Sequence, residues 1–224
     1  MRQVSGLVTL GTNAPMGGVR KERIMRRVAL LLAGMAAMLV LASGVALAVN
    51  KVGTDGPDTL RGTDKDDNLV GKGGQDDLFG LDGSDNLLGG EGRDNLLGGN
   101  ESAPGGGDKN LVGGPGNDAV FAGQGSDNIV GGDGNDLLVD GVLREPSQDR
   151  LAGGNGNDVI DVINRPAVKD IVVCGDGFDR VLADRKDTVT PDCERVFVGL
   201  DSVEEFQGSI PRSFFRGLPP SPFD

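Results

Sequence analysis

The sequence predicts an all-β fold wound from stacked short repeats. Three observations predict it. An aspartate recurs after nine residues, with an aliphatic residue two positions on, as in Gly123 to Val139, GQGSDNIVGGDGNDLLV. The 224 residues include 39 glycines without collagen's three-residue period, which points to a turn-dense repeat. With 8 Phe and no Trp or Tyr, only repetition can build a core.

Residues 1–48 read as a secretory signal peptide, outside the fold. Arg20, Lys21, Arg23, Arg26 and Arg27 form a basic region. An uncharged, mostly apolar run follows from Val28 to Val45, and Ala46-Leu47-Ala48 is a small-x-small cleavage signal. Met25 is an alternative start, since residues 25–48 alone make a compact signal. The apolar run is near the minimum for a membrane span. The Ala-x-Ala and the polar, turn-rich sequence after it favour cleavage, with no stable membrane insertion afterwards and an extracellular destination. Without residues 1–48 the chain has 16 basic and 33 acidic side chains, a net charge of −17. Such a surface repels nucleic acid and anionic membranes and favours cations.

Aligning nonapeptides on the aspartate gives thirteen units over residues 53–182. Their eighth positions are Leu60, Leu69, Leu78, Leu87, Leu96, Leu111, Val120, Ile129, Leu138, Leu151, Ile160, Val172 and Val181, all aliphatic. Their sixth positions are Asp58, Asp67, Asp76, Asp85, Asp94, Lys109, Asp118, Asp127, Asp136, Asp149, Asp158, Asp170 and Asp179. The alignment needs insertions near Gly98–Ala103, Asp140–Leu143 and Val162–Asn164.

Units such as GGEGRDNLL, GGDGNDLLV and GGNGNDVID resemble the hemolysin-type (RTX) calcium-binding nonapeptide, GGxGxDxUx with U aliphatic. Thirteen copies in phase make the resemblance specific. It implies a parallel β-roll, a right-handed β-solenoid with two units per coil and calcium in the turns. In toxins and exported proteases such repeats follow an effector domain. Here a signal sequence precedes them instead, and the resemblance licenses no lytic activity.

Physical chemistry leads to the same place. A six-residue turn with a three-residue strand cannot stand alone, and stacking lets each strand pair with one a coil away. At a strand spacing of about 4.8 Å the aliphatic residues form inward columns and the aspartates outward columns of like charge. Unit charges roughly 5 Å apart repel by about 3 kcal/mol at an effective dielectric near 20. Summed along a file, this rivals a typical domain stability of about 5–15 kcal/mol, so a cation must sit between layers. The turns offer only oxygen: carboxylates and carbonyls around Gly56, Gly74, Gly83, Gly92, Gly116, Gly125, Gly134 and Gly156. With no His and one Cys pair, zinc, copper and iron lack the ligands they prefer. Calcium accepts six to eight oxygens in tolerant geometry, whereas magnesium demands a tight octahedron. Turn formation alone would accept Asn at the sixth position, yet Asn never stands there, while Asn68, Asn86, Asn95, Asn110 and Asn128 stand one residue later. Roughly eight calcium ions are expected.

With two units per coil, alternate units share an edge. One edge, here the regular edge, has Asp58, Asp76, Asp94, Asp118, Asp136, Asp158 and Asp179, with glycine at every fourth position. The other, the looped edge, has Lys65, Ser147 and Val168 among its fourth positions, Lys109 in place of Asp, and all three insertions. An unbroken calcium ladder is expected on the regular edge. The looped edge is expected to be interrupted at Lys109, and its loops are the expected contact surface for an unidentified protein or cell-surface partner.

Cys174 and Cys193 read as a disulfide after export. Nineteen residues apart, they fall almost one above the other in an eighteen-residue coil, and their bridge closes the last coil for roughly 3 kcal/mol. Residues 183–198 read as a degenerate final coil and cap, with Phe178 and Phe197 over the end of the apolar column. Residues 199–224, rich in Pro and Phe, could fold back over the roll, offer a second partner surface or be disordered, and their composition favours partial disorder.

These features point to a secreted calcium-binding repeat protein and not to an enzyme. An adhesin or matrix protein using the roll as a spacer is the alternative. Without His, triad chemistry and His-based zinc motifs are absent. A carboxylate pair could hydrolyse a glycoside, but the aspartates are better explained as metal ligands and no Trp or Tyr is present to hold a sugar.

Overall fold

The computed structural model describes residues 47–100, 107–108, 110–141, 147–164, 166–199 and 202–220. The basic region, the apolar run, Met25 and Lys109 lie outside them, as do parts of the first two insertions. Among the described residues no helix is long and apolar enough to cross a membrane.

Each repeat unit becomes one strand, and successive strands alternate between two sheets. The order is β1 (Asn50–Val52), β2 (Thr59–Arg61), β3 (Asn68–Gly74), β4 (Asp77–Leu81), β5 (Asn86–Gly92), β6 (Asn95–Asn100), β7 (Asn110–Pro115) and β8 (Ala119–Gln124). It continues with β9 (Asn128–Asp133), β10 (Leu137–Val139), β11 (Arg150–Asn155), β12 (Val159–Asp161), β13 (Ile171–Asp176), β14 (Arg180–Ala183), β15 (Thr188–Val189) and β16 (Arg195–Val198). Odd-numbered strands form one eight-stranded sheet and even-numbered strands the other. All pairings are parallel, as in β3–β5, where Leu69 faces Leu87. This is a parallel β-solenoid with two units per coil, closed near its end by a disulfide. The insertions do not shift the register: Leu96 still faces Val120, and Leu138 still faces Ile160.

The aliphatic columns form the core. Leu69, Leu87, Leu111, Ile129, Leu151 and Val172 line one sheet, and Leu78, Leu96, Val120, Leu138, Ile160 and Val181 the other, all essentially inaccessible. Leu60, in the first coil, is only partly buried. Burying one such side chain contributes about 1.5–3 kcal/mol.

Glycine permits the close stacking of turns. Gly92 has φ +144°, and a Cβ there would strike the carbonyl oxygen of Gly74 in the coil before. At the second position of the unit, where Gly90 and Gly99 take φ 111° and 139°, the preceding coils have Lys72 at φ 86° and Leu81 at φ 91°. These side chains occupy left-handed backbone that glycine adopts freely. Lys72→Gly is expected to stabilise the calcium-loaded protein by about 0.5–1 kcal/mol, read as a higher denaturation midpoint. An unchanged or lower midpoint would contradict this.

Cys174 and Cys193 are bonded, with Cα atoms 5.2 Å apart. Cys174 lies in the core row, and its partner lies between β15 and β16, so the bridge ties the last coil to the one before. The end of the chain differs from expectation. Phe178 is 41% exposed, with the Arg180 guanidinium 4.7 Å from its ring centroid. Phe197 follows inward-type position Val196, so strand alternation turns it outward, away from the apolar column. There it meets the tail. Residues with a composition that favours disorder form α1 (Val203–Ser209) and α2 (Arg212–Gly217). Helices this short depend on tertiary contacts. Phe206 and Phe214 supply them, packing with Val159, Leu182 and Phe197 on the outer face of the even-numbered sheet. Phe197 and Phe206 meet edge to face at 5.6 Å. Arg180 Nε donates to the Ser209 carbonyl and Asn95 Nδ2 to the Pro220 carbonyl, fixing the tail along the solenoid.

Candidate metal centre

At each turn the aspartate side chain folds inward. The outward columns expected from alternation are therefore not found: Asp76, Asp85, Asp94, Asp118, Asp127, Asp136, Asp149, Asp158, Asp170 and Asp179 are buried. Hydrogen bonding between coils is the reason. Asp76 N–H donates to Asp94 Oδ1, Asp94 to Asp118, Asp118 to Asp136, Asp136 to Asp158 and Asp158 to Asp179, all at 2.8–2.9 Å. The regular-edge ladder begins with Asp58 N–H on Asp76 Oδ1 and ends with Asp179 N–H on Glu194 Oε2.

The looped edge has a matching ladder, and it is not interrupted. Asp85 N–H donates to Asp108 Oδ1 at 2.8 Å, and Asp108 N–H donates to Asp127 Oδ1 at 2.5 Å. Asp108 thus takes the place that strict spacing assigns to Lys109. The chain has one extra residue between Asp108 and the strand residue Asn110, which still faces Asn86. The ladder includes Asp67 and Asp85, and continues through Asp149 and Asp170 to Asp187.

Three ladder acids escape a strict glycine-rich search. Asp108 sits beside the one mismatch in the alignment. Asp187-Thr188-Val189 and Glu194-Arg195-Val196 keep only the acid and the aliphatic residue of the unit, and that pair alone marks them.

The second carboxylate oxygen determines what the turns can hold. Oδ2 of Asp76, Asp94, Asp118, Asp136, Asp158 and Asp179, and of Asp108 on the other edge, is buried without a hydrogen-bond partner. At Asp58, Asp67 and Asp170 it is covered by protein donors. Thr54 N–H and its hydroxyl bind Asp58 Oδ2, Thr63 does the same for Asp67, and Asn164 Nδ2 donates to Asp170 Oδ2 at 2.8 Å. At the first position of the unit, a Cβ on Gly89 would overlap both Asp94 Oδ2 and the Gly113 carbonyl oxygen. Gly113, Gly131 and Gly153 repeat the arrangement with Asp118, Asp136 and Asp158. Carboxylate and carbonyl oxygens thus converge in the same space. The fourth-position glycines Gly74, Gly83, Gly92, Gly116, Gly125, Gly134 and Gly156 all have positive φ. A Cβ on Gly116, Gly134 or Gly156 would strike the carbonyl of the glycine one coil before, so these carbonyls stack in a file. Gly56 has no such neighbour.

Buried acceptors without donors cost free energy unless something positive meets them. Burial pushes the Asp94 carboxyl up to about 6, those of Asp118 and Asp136 to about 7 and that of Asp158 to about 8. Neighbouring ladder carboxylates add to the rise, while the backbone N–H bonds oppose it. Asp108 and Asp170 rise to about 7 and Asp187 to about 6, again chiefly through burial. Asp58, at the exposed end, is lowered by its Thr54 hydrogen bonds. An all-oxygen donor set with unmet negative charge fits a hard divalent cation, and the absence of nitrogen and sulfur ligands favours calcium over transition metals.

One further acid lies in the looped edge. Asp140, inside the second insertion, is buried, and its carboxylate converges with those of Asp127 and Asp149, their oxygens all within 4.8 Å of one another. Burial, then the facing Asp149, Asp170 and Asp127 carboxylates, push its pKa strongly upward.

A parallel β-solenoid whose turns stack buried carboxylates defines a class: repeat proteins in which cations join one coil to the next. The family model of the RTX calcium-binding nonapeptide repeat matches the chain in four copies, over residues 52–87, 79–101, 105–138 and 147–161. These segments, under half of the chain, carry RTX hemolysin-type calcium-binding repeats, and the solenoid they form fits that repeat. No curated protein and no solved structure matches it.

Proposed function

We propose that this is a secreted calcium-binding protein whose solenoid winds as ions enter its turns. The row of buried, unpartnered Oδ2 atoms from Asp76 to Asp179 carries the reading. Each faces a turn with stacked carbonyls, and no side-chain cation is bonded to these atoms. The metal ligands would be Asp76, Asp94, Asp118, Asp136, Asp158 and Asp179 on the regular edge, and Asp85, Asp108, Asp127 and Asp149 on the looped edge. Asp58, Asp67 and Asp170 already accept protein donors at Oδ2 and would contribute less. Calcium would supply positive charge and take six to eight oxygens per ion. The chain's part is to hold each carboxylate by its Oδ1 and keep water from the turn.

The role is structural and non-enzymatic: the buried aspartates serve as ligands and coil-to-coil acceptors. In the calcium-poor cytosol the acidic chain would stay unwound, and export would bring it to about 10⁻⁴–10⁻³ M calcium, the range of extracellular modules. Equilibrium dialysis of metal-stripped protein should show uptake of about eight ions per chain at millimolar calcium. No uptake at that concentration would overturn the proposal.

A further inference from the structure

Counted as inserted in the alignment, Asp140 directly follows Val139, which faces Phe121 and Asp161, so in space it takes the first-position place of its turn. The equivalent residues on the looped edge are Gly62, Gly80, Gly98 and Ala122 before it, and Val162 and Ala183 after it. Ala122, Val162 and Ala183 belong to the core cluster, so this row faces inward. Apart from Asp140, it has no polar side chain. Glycine at Gly62 and Gly80 leaves room for the ladder carboxylate, since a Cβ there would overlap Asp67 Oδ2 or Asp85 Oδ2. Asp140 instead brings a second carboxylate into that room.

The main chain holds it there. Asp140 N–H donates to the Asp161 carbonyl, and its own carbonyl accepts from Gly123 N–H, both at 3.0 Å, so coils on either side clamp the residue. Its side chain is 2% exposed, and neither carboxylate oxygen has a hydrogen-bond partner. Among the described residues, Asp127, Asp140 and Asp149 form the one group of three carboxylates with oxygens this close. A lone carboxylate in an apolar row is strongly unfavourable, and two more beside it worsen the cost unless a multivalent cation is shared among them.

We infer that Asp140 makes this turn a three-carboxylate calcium site, with Asp127 and Asp149, that binds the ion more tightly than the other turns of the ladder. The inference rests on the calcium-binding reading above and adds a residue that the nonapeptide pattern does not contain. Affinity for calcium rises with the charge of the ligand set and the rigidity of the site, and this position has both. Being filled first, the site would set the register of the coils around it.

Calcium titration of the metal-stripped protein by calorimetry, with a competing chelator for the tight range, tests this. The unaltered protein should show a one-ion class at least tenfold tighter than the rest. Asp140→Gly, which restores the residue found at Gly62 and Gly80, and Asp140→Asn, which keeps size and removes charge, should both lose that class by tenfold or more. The weaker sites should remain unchanged. Variant isotherms that overlay the unaltered one, or show tighter binding, would overturn the inference. The unaltered protein alone decides the matter should neither variant fold. Calcium uptake without a tight one-ion class refutes this site alone, while no uptake at all refutes the proposed function.

Discussion

Withdrawing calcium at neutral pH is expected to unwind the solenoid, with most of its β-sheet circular dichroism lost in excess chelator and regained on adding millimolar calcium. Both ladders argue for a large effect. Ladder carboxylates in adjacent coils, roughly 5 Å apart, repel by about 3 kcal/mol at an effective dielectric near 20. A few such pairs match the whole stability of an ordinary domain, about 5–15 kcal/mol. Burial enlarges the cost, because Asp94, Asp118, Asp136 and Asp158 have exchanged water for a turn with an unpartnered Oδ2. Binding that occurs only in the wound state is folding free energy, so loss of the ion is loss of the fold. Since each coil templates the next, the transition should be cooperative in calcium. A β-rich spectrum unmoved by chelator would refute the coupling.

Acid should replace the metal. In chelator, lowering the pH from about 8 to about 5 is expected to restore β-structure, because protons neutralise the same carboxylates that calcium would bridge. The ladder groups rise from the ordinary aspartate value of 3.8 to about 6 for Asp94 and Asp187, about 7 for Asp108, Asp118, Asp136 and Asp170, and about 8 for Asp158. The metal-free wound state therefore holds more protons than the unfolded chain. Its stability is fully present below the unfolded carboxylate range and is lost as pH climbs through about 6–8. Calcium affinity should move oppositely, falling on acidification as protons compete for the ligands. Circular dichroism in chelator across this range, paired with calcium titrations at its two ends, reads both trends. Loss of metal-free β-structure on acidification would contradict the burial of unneutralised carboxylates in the ladders.

The outcome at Lys109 shows how far a linear pattern reaches. Counting from the aliphatic residue places Lys109 in the ladder, because it assumes one residue between acid and aliphatic position. The fold places Asp108 there, since hydrogen bonding from Asp85 N–H and to Asp127 Oδ1 selects an acceptor in space, not a position in a count. The direction of the aspartates was hidden for a related reason. Alternation describes strands, whereas these residues lie at turns, where the backbone N–H of one coil draws in the carboxylate of the next.

The tail shows a different limit. Its composition is that of a flexible segment, yet Phe206 and Phe214 find an apolar patch made by Val159, Leu182 and Phe197. Those three residues belong to different coils, and only winding brings them together.

The sequence by itself determined the period, the two aliphatic columns, the parallel stacking and the acidic turns, because each unit repeats its own local preferences and the core is the sum of identical contacts. Tertiary structure alone decided which acids complete the ladders, that their carboxylates point inward, where the tail docks and that Asp140 meets Asp127 and Asp149. Those outcomes depend on contacts between coils, and between coils and tail, where hydrogen-bond geometry and shared burial select partners that no local pattern marks.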